Sequence, residues 1–204
     1  MTGSRRREID PAEAEPRRVH RLLTAVVVPR PIAWVSTTSA TGVDNLAPHS
    51  FFTVACVRPP IVQFTSIGAK DTLANVVATG EFVVNLAPVE LVDQVNATSA
   101  AYPAELSEFD QVGVGREPSR RVRPPRVAAS PVALECVLER TVELGTATLV
   151  LGRVVQLAVA ERVLDGEHPE IASLAPLSRL GRDEWGAWTP ESPVLRLERP
   201  RYPD

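Results

Sequence analysis

The sequence has little lysine and little cysteine. Lys70 is the only lysine among the 22 basic residues of the 204-residue chain, and the two cysteines are Cys56 and Cys136. Both cysteines lie in apolar runs without a CxxC spacing, which excludes a zinc ribbon and a redox dithiol and predicts two buried, reduced thiols. The three histidines stand apart along the chain, so we expect no metal site.

Long apolar runs and familiar catalytic signatures are also missing. The longest apolar stretches, residues 22–28 and 147–160, are shorter than the roughly 18–20 residues that span a membrane. The N-terminal arginines precede no apolar segment, so we expect no secretion signal and predict a cytoplasmic protein. GxGxxG, P-loop, GxSxG and HExxH motifs are absent. A Ser-His-Asp triad stays possible, because its three residues can be distant in sequence and meet only in the fold, but no local pattern supports one.

Charge and composition indicate an ordinary globular chain. The net charge is -3, with 44% hydrophobic and 23% charged residues, which gives no reason to expect binding to nucleic acid or to a membrane surface. The 19 prolines argue against a helical bundle and favour short strands separated by turns. Without internal repeats, we predict one domain over residues 20–204, preceded by a polar N-terminal arm over residues 1–19.

The hydrophobic pattern predicts a mainly β protein with inserted helices. Its strands are expected at residues 32–38, 46–57, 61–67, 81–86, 132–144 and 147–164, and its helices at residues 70–80 and 88–100. Because strands and helices do not alternate, the pattern favours a closed antiparallel barrel. Residues 113–131, which contain five arginines, are expected to be the least structured part.

Lys70 follows a glycine turn and stands where a helix is expected to begin. Free backbone N–H groups and the helix dipole favour an anion at such a position, Lys70 adds a positive charge, and Thr72 adds a hydroxyl. Residues 66–72, SIGAKDT, are therefore a candidate phosphate site. The alternative is a solvated lysine in a turn capped by Asp71. The Walker spacing is missing, which argues against a nucleoside triphosphate.

The segment NLAPHSFF, residues 45–52, is the second candidate. Its proline and small polar residues interrupt strand pairing and expose backbone amides and carbonyls. A flat heteroaromatic ligand could meet these groups edge-on, with Trp34 or Phe52 as a wall. The alternative is a β-bulge beside an aromatic core.

Residues 29–86 closely resemble the flavin reductase-like proteins with an FMN-binding split barrel. The resemblance rests on PRPIAWVST, G..NLAP.SFF, a PP pair, KDT..N and GEFVVNL in that order and spacing. It continues in SPVALECVLE (130–139), LVLGRVV (149–155), PLSRLG (176–181) and LERP (197–200). It implies a six-stranded, antiparallel Greek-key split β-barrel, and a homodimer with FMN near the subunit interface.

Carried over by position, the resemblance implies a set of FMN-binding residues. The phosphate would sit on Lys70, Asp71 and Thr72, mostly through backbone amides and the ammonium group. The isoalloxazine edge would contact residues 45–52 and neighbouring strands. The full implied set is Ser36, Asn45, Leu46, Ala47, Ser50, Phe52, Thr65, Ser66, Lys70, Asp71 and Thr72.

The chain departs from the family pattern at two places. His49 stands where the family often has tyrosine, and it is our candidate catalytic residue, either donating a hydrogen bond to a reduced flavin or positioning nicotinamide. The alternative is a histidine that only fills space. In RLGRDEWG, residues 179–186, Arg182 replaces a second glycine and Trp185 replaces a tyrosine.

The function that the resemblance implies is transfer of hydride from NAD(P)H to flavin N5, then on to an acceptor such as a partner monooxygenase, a ferric complex or oxygen. No side chain need act as acid or base.

The arginine-rich residues 113–126 either approach the 2′-phosphate of NADP or form a solvated loop. Two alternatives stay open: an FMN-binding electron carrier without its own NAD(P)H activity, and an FMN-dependent oxidase of a small substrate. The choice between NADH and NADPH is also open.

Overall fold

The computed structural model describes residues 5–197. Its helices are α1 (Pro16–Val26), α2 (Asp71–Thr79), α3 (Val92–Ala97), α4 (Glu108–Val112) and α5 (Ile171–Leu174), with 3-10 turns at Val89–Leu91 and Glu161–Val163. Its strands are β1 (Arg30–Pro31), β2 (Ala33–Thr38), β3 (Asp44–His49), β4 (Phe52–Cys56), β5 (Ile61–Ile67), β6 (Glu81–Leu86), β7 (Arg116–Glu117), β8 (Arg126–Val127), β9 (Val132–Leu144), β10 (Ala147–Val159), β11 (Leu164–Asp165), β12 (His168–Pro169), β13 (Leu177–Arg179) and β14 (Trp185–Ala187). Residues 1–4 of the expected arm and residues 198–200 of the LERP match lie outside the described residues.

The main sheet has seven antiparallel strands in the order β3-β2-β6-β9-β10-β5-β4. Its two edge strands, β3 and β4, are separated along the chain only by Ser50 and Phe51. The sheet must therefore roll up until its edges approach each other. The N–H of Thr65 on β5 donates to the carbonyl of Phe51 at 2.9 Å, which extends the β4–β5 pairing into the short connection between the two edges. This geometry confirms the predicted antiparallel split barrel.

The expectation of one strand over residues 46–57 is wrong. The strand breaks after His49, because Ser50 and Phe51 leave the ladder and β4 pairs with β5 instead of continuing β3. If β3 and β4 are counted as one broken strand, the barrel has the six strands that the family resemblance implies. The break opens the barrel wall at the segment expected to meet a ligand.

The other expected elements differ from the structure mainly at their ends. Helix α2 ends at Gly80, whose φ of 74° gives the left-handed cap expected from the sequence. The hairpin of β9 and β10 turns at Gly145, as expected, but β10 ends at Val159 rather than at residue 164. The helix expected over residues 88–100 is a 3-10 turn followed by the short α3.

The two larger apolar clusters lie one on each side of β2, and all six residues of that strand are buried. The barrel interior contains Val35, Phe64, Phe82, Cys136 and Val150 among its buried residues. The second cluster lies between the barrel and the helices and includes Trp34, Leu46, Val95 and Phe109. Trp34 is fully buried and its Nε1 donates to Thr98 Oγ1 at 2.9 Å. The hypothesis that Trp34 forms a ligand wall is therefore wrong.

Helix α1 begins at Pro16, so it takes up part of the segment expected to be an arm over residues 1–19. The Arg30 side chain fixes the end of this helix: it donates to the carbonyls of Thr24 and Val27, and it reaches the carbonyl of Leu180 at 2.8 Å. These contacts hold α1 against the loop that follows β13. Within residues 5–197, no helix combines the length and apolarity needed to cross a membrane.

Residues 113–131 contain little regular secondary structure, as expected, but side-chain contacts hold them in place. Short strands β7 and β8 pair with each other, and the Arg126 side chain lies buried against Glu135, with Arg126 Nε donating to Glu135 Oε1 at 2.9 Å. The carboxylate of Glu135 also accepts the backbone N–H groups of Arg120 and Arg121. A fully buried carboxylate on β9 therefore organises this arginine-rich segment.

Candidate functional site

A cavity of about 440 Å³ lies at the break between β3 and β4. It is bounded by the break itself, β5, the start of α2, helix α1 and the loop after β13. Five of the residues expected from the sequence share it, namely Ala47, His49, Ser50, Thr65 and Lys70. The other lining residues are His20, Arg21, Thr24, Arg30, Pro48, Phe51, Ile67, Ser99, Arg179, Leu180, Arg182 and Asp183. The two separate candidate segments of the sequence thus meet at one site.

The start of α2 forms one end of the cavity. Lys70 is the N-cap residue in an extended conformation, and no side chain caps the helix. The carbonyl of Lys70 accepts the N–H of Ala74 at 3.0 Å, while the N–H groups of residues 71–73 donate to no acceptor within residues 5–197. Free N–H groups at a helix start beside a lysine are a suitable arrangement for a phosphate.

A buried polar network lies behind this helix start. Thr72 Oγ1 donates to Asn45 Oδ1, Asn45 Nδ2 donates to Glu108 Oε1, and the N–H of Leu46 donates to Glu108 Oε2, each at 2.9 Å. The network joins α2, β3 and α4, and burial raises the pKa of the Glu108 carboxyl while the N–H of Leu46 opposes that rise. The Thr72 hydroxyl is therefore committed to Asn45, contrary to the expectation that it would contact phosphate.

Sequence reasoning missed Glu108. The residue lies in SEFDQV, a short polar stretch with no motif to mark it, and it is 63 positions from Asn45. Its burial, at 5% exposed, was not expected for an acidic residue in a helix of five residues. Only the fold brings Glu108 to Asn45 and Leu46.

His49 forms part of the cavity wall and is 8% exposed. Its ring packs on Phe64 with a centroid distance of 4.8 Å, and its Nε2 has no hydrogen-bond partner in the described part of the chain. Burial lowers the pKa of His49 to about 4, and the positive charge of Lys70 contributes to the lowering. The imidazole is therefore neutral at neutral pH and keeps a polar atom available to a ligand.

The remaining expected residues lie outside the cavity lining. Ser36 is fully buried and its Oγ donates to the carbonyl of Pro125 at 2.5 Å. Ser66 is fully buried, and its Oγ lacks a partner among residues 5–197. Phe52 packs against the barrel core and lines an adjacent apolar cavity of about 460 Å³. Asp71 is exposed at the helix start.

Arginines complete the cavity, two of them from the RLGRDEWG segment, which the family resemblance implies to lie near the flavin. Arg30 and Arg179 come from the paired strands β1 and β13, and Arg182 follows in the loop before β14. The guanidinium of Arg179 lies 4.6 Å from the ring centre of Trp185 and donates to the carbonyl of Arg182 at 2.9 Å. Arg182 has a φ of 54°, a left-handed conformation that glycine adopts without strain, as in the second glycine of the family pattern.

The two cysteines differ in their burial. Cys136 is buried and Cys56 is half-buried, so the expectation of two buried thiols holds for Cys136 alone. Over residues 5–197, no group of three or more His, Cys, Asp or Glu side chains is arranged to hold a metal ion.

Comparison with known proteins identifies the family. The model of the flavin reductase like domain matches residues 25–175, which is most of the chain. The chain belongs to this family. An uncharacterized protein of Halalkalibacterium halodurans is 35% identical over 205 residues, which cover 95% of this chain and 96% of the relative.

Two solved structures show the same fold. Component B of nitrilotriacetate monooxygenase from Bacillus cereus is 30% identical, with a TM-score of 0.91 over 96% of this chain and 100% of that one. A protein of Shewanella frigidimarina, described as a flavin reductase with a split barrel domain, is 20% identical, with a TM-score of 0.82 over 92% of this chain and 95% of that one. These likenesses agree with the rolled, split sheet described above.

Proposed function

We propose that this protein is an FMN-binding oxidoreductase that takes hydride from NAD(P)H and passes the electrons to an acceptor. The observation that carries the proposal is the meeting of two sequence segments in one cavity. Lys70, the residue that precedes the free N–H groups of α2, lines this cavity, and His49 at the strand break forms part of its wall. Family membership supports the same function.

The residues present fit FMN. The N–H groups of residues 71–73 and the Lys70 ammonium would hold the phosphate, because a helix start and a lysine both favour a dianion. Backbone groups around Ala47 and Ser50 would meet the polar edge of the ring, since Ala47 lies in the edge strand β3, which pairs only with β2, and Ser50 lies in the strand break. Bound FMN would supply the hydride-accepting chemistry.

His49 would act on the ring through a hydrogen bond rather than as an acid. Its low pKa keeps the imidazole neutral over the physiological pH range, so it carries no proton to transfer as imidazolium. The unpaired Nε2 lies in the cavity wall, where a ring nitrogen or carbonyl of a ligand could pair with it. We therefore infer a positioning and polarising role for His49.

We further infer a homodimer and a protein partner for electron transfer. Val54 on the edge strand β4 is 65% exposed, and Phe51, which precedes that strand and lines the cavity, is 38% exposed, so apolar side chains are exposed near the cavity. A second copy covering these side chains would also shield the cavity from water. The relative in Bacillus cereus is one component of a monooxygenase, which supports a monooxygenase as the acceptor.

Anaerobic reduction tests the proposal. Purified protein is mixed with FMN, and NADH or NADPH is then added while the visible flavin absorbance is followed. We expect catalytic loss of the absorbance, and weaker FMN binding in Lys70→Ala than in Arg140→Ala, a control on the exposed part of β9. Binding of FMN without reduction by either nucleotide would favour the electron carrier or the oxidase. Absence of FMN binding would contradict the proposal.

A further inference from the structure

The cavity carries more positive charge than a single flavin phosphate needs. Lys70 lies at the start of α2, and the cavity walls contributed by α1, β1 and the β13–β14 hairpin add four arginines: Arg21, Arg30, Arg179 and Arg182. Among the described residues that line the cavity, Asp183 is the only acid. A phosphate held by Lys70 would therefore leave several guanidinium groups without a counter-charge.

Two of these arginines are held close together without an acid. Arg30 is 8% exposed, and its Nε has no hydrogen-bond partner over the described range 5–197. Burial lowers the pKa of Arg30, and the positive charge of Arg179 lowers it further. Neither side chain is in any of the ion pairs found in that range. Like charges kept together in this way favour binding of an anion.

The loop that carries Arg179 and Arg182 is fixed rather than free. Arg179 stacks on Trp185, donates to the carbonyl of Arg182, and belongs to a strand that pairs with β1. Helix α1, which carries Arg21, is tied to the same loop through the Arg30 contacts with Thr24 and Leu180. The arginines of the two elements therefore face one cavity in a defined arrangement.

The arginine-rich residues 113–126 do not reach this site. Arg116 pairs with Asp44 and Asp110, and Arg126 pairs with Glu117 and Glu135. None of the arginines in residues 113–126 lines the cavity. The expectation that this segment approaches the 2′-phosphate of NADP therefore has no support in the fold.

We propose that Arg21, Arg179 and Arg182 form a second anion subsite, which takes the adenosine 2′-phosphate of NADPH. The inference rests on the proposed function and deepens it, because it makes NADPH rather than NADH the electron donor. Planar guanidinium groups bind phosphate oxygens through paired hydrogen bonds, and the 2′-phosphate is the group that distinguishes the two nucleotides. Lys70, at the start of α2, stays with the flavin phosphate.

Calorimetric binding of 2′,5′-ADP and 5′-AMP tests the subsite without turnover. The full chain with FMN added should bind 2′,5′-ADP about tenfold more tightly than 5′-AMP. Arg182→Gly and Arg21→Gln should each remove most of that preference. Arg182→Gly suits the left-handed backbone at this position, so it should not disturb the loop. Arg121→Gln, an exposed arginine outside the cavity, is the matched control and should keep the preference.

The outcomes separate this inference from the proposed function. Equal binding of the two nucleotides, or a preference that survives in both variants, would overturn the subsite. A loss of FMN affinity in Arg182→Gly as large as in Lys70→Ala would also overturn it, because the arginines would then serve the flavin phosphate. Failure of both NADH and NADPH to reduce FMN would contradict the proposed function, while the calorimetric comparison would still decide the subsite.

Discussion

His49 shows how a buried imidazole can stay neutral although a lysine lies close to it. The ring is held between the barrel core and the cavity, where Phe64 covers one face. Desolvation disfavours the imidazolium, and the charge of Lys70 acts in the same direction. The positive charge needed for a phosphate and the neutral polar group proposed for the ring can therefore lie in the same cavity.

This environment predicts a pH-dependent contribution of His49 to stability. The pKa is about 4 in the folded protein and 6.5 ordinarily, so between these values the unfolded chain binds a proton that the folded chain does not. The free energy of unfolding should fall as pH decreases through this range, by up to about 3 kcal/mol. Urea unfolding at several pH values should show this component in the wild type and not in His49→Gln. The same pH slope in both proteins would contradict the burial argument.

At the scale of elements, the network around Glu108 connects three pieces of chain that are distant in sequence. Helix α4 supplies the carboxylate, β3 supplies Asn45 and the N–H of Leu46, and α2 supplies Thr72. Because Thr72 belongs to the first turn of α2, the network fixes the N–H groups that would meet a phosphate.

Glu108→Ala should destabilise the protein and weaken FMN binding together. Removing the carboxylate leaves the Leu46 N–H and the Asn45 amide buried without an acceptor, at a cost of about 1–3 kcal/mol each. Asp110→Ala is the matched control on the same helix, because its pair with Arg116 is exposed to water and contributes little to stability. Urea unfolding and an FMN titration measure both effects. Unchanged FMN affinity in a destabilised Glu108→Ala protein would show that the network does not position α2.

At the scale of the whole molecule, the sequence indicates the local elements far better than the contacts between them. Glycine and proline positions locate the turn at Gly145 and the end of α2 at Gly80, since these depend on backbone geometry near one residue. The composition of residues 45–52 indicates an interruption of strand pairing, but the exact place of the break after His49 depends on pairings across the barrel. The burial of Arg126 against Glu135 depends on such pairings too, and no local pattern encodes it. The family resemblance predicted several of the residues that line the cavity. It did not predict that the side chains of Thr72 and Asn45 pair with each other in a buried network.

The fold also explains why the two candidate segments, SIGAKDT (66–72) and NLAPHSFF (45–52), form one site. Strands β3 and β4 are the two edges of the rolled sheet, and β5, which pairs with β4, leads directly into the turn before α2. Closure of the barrel therefore brings Lys70 close to the strand break that directly follows His49. We propose that this junction binds the phosphate of FMN.

A fluorescence titration with FMN and riboflavin, which lacks the phosphate, tests that claim most directly. The wild type should bind FMN more tightly than riboflavin, and Lys70→Ala should reduce the ratio of the two affinities about tenfold. Riboflavin affinity itself should change little, because the ring contacts come from the strand break. An unchanged ratio in Lys70→Ala would contradict the account, since the phosphate would then be bound elsewhere.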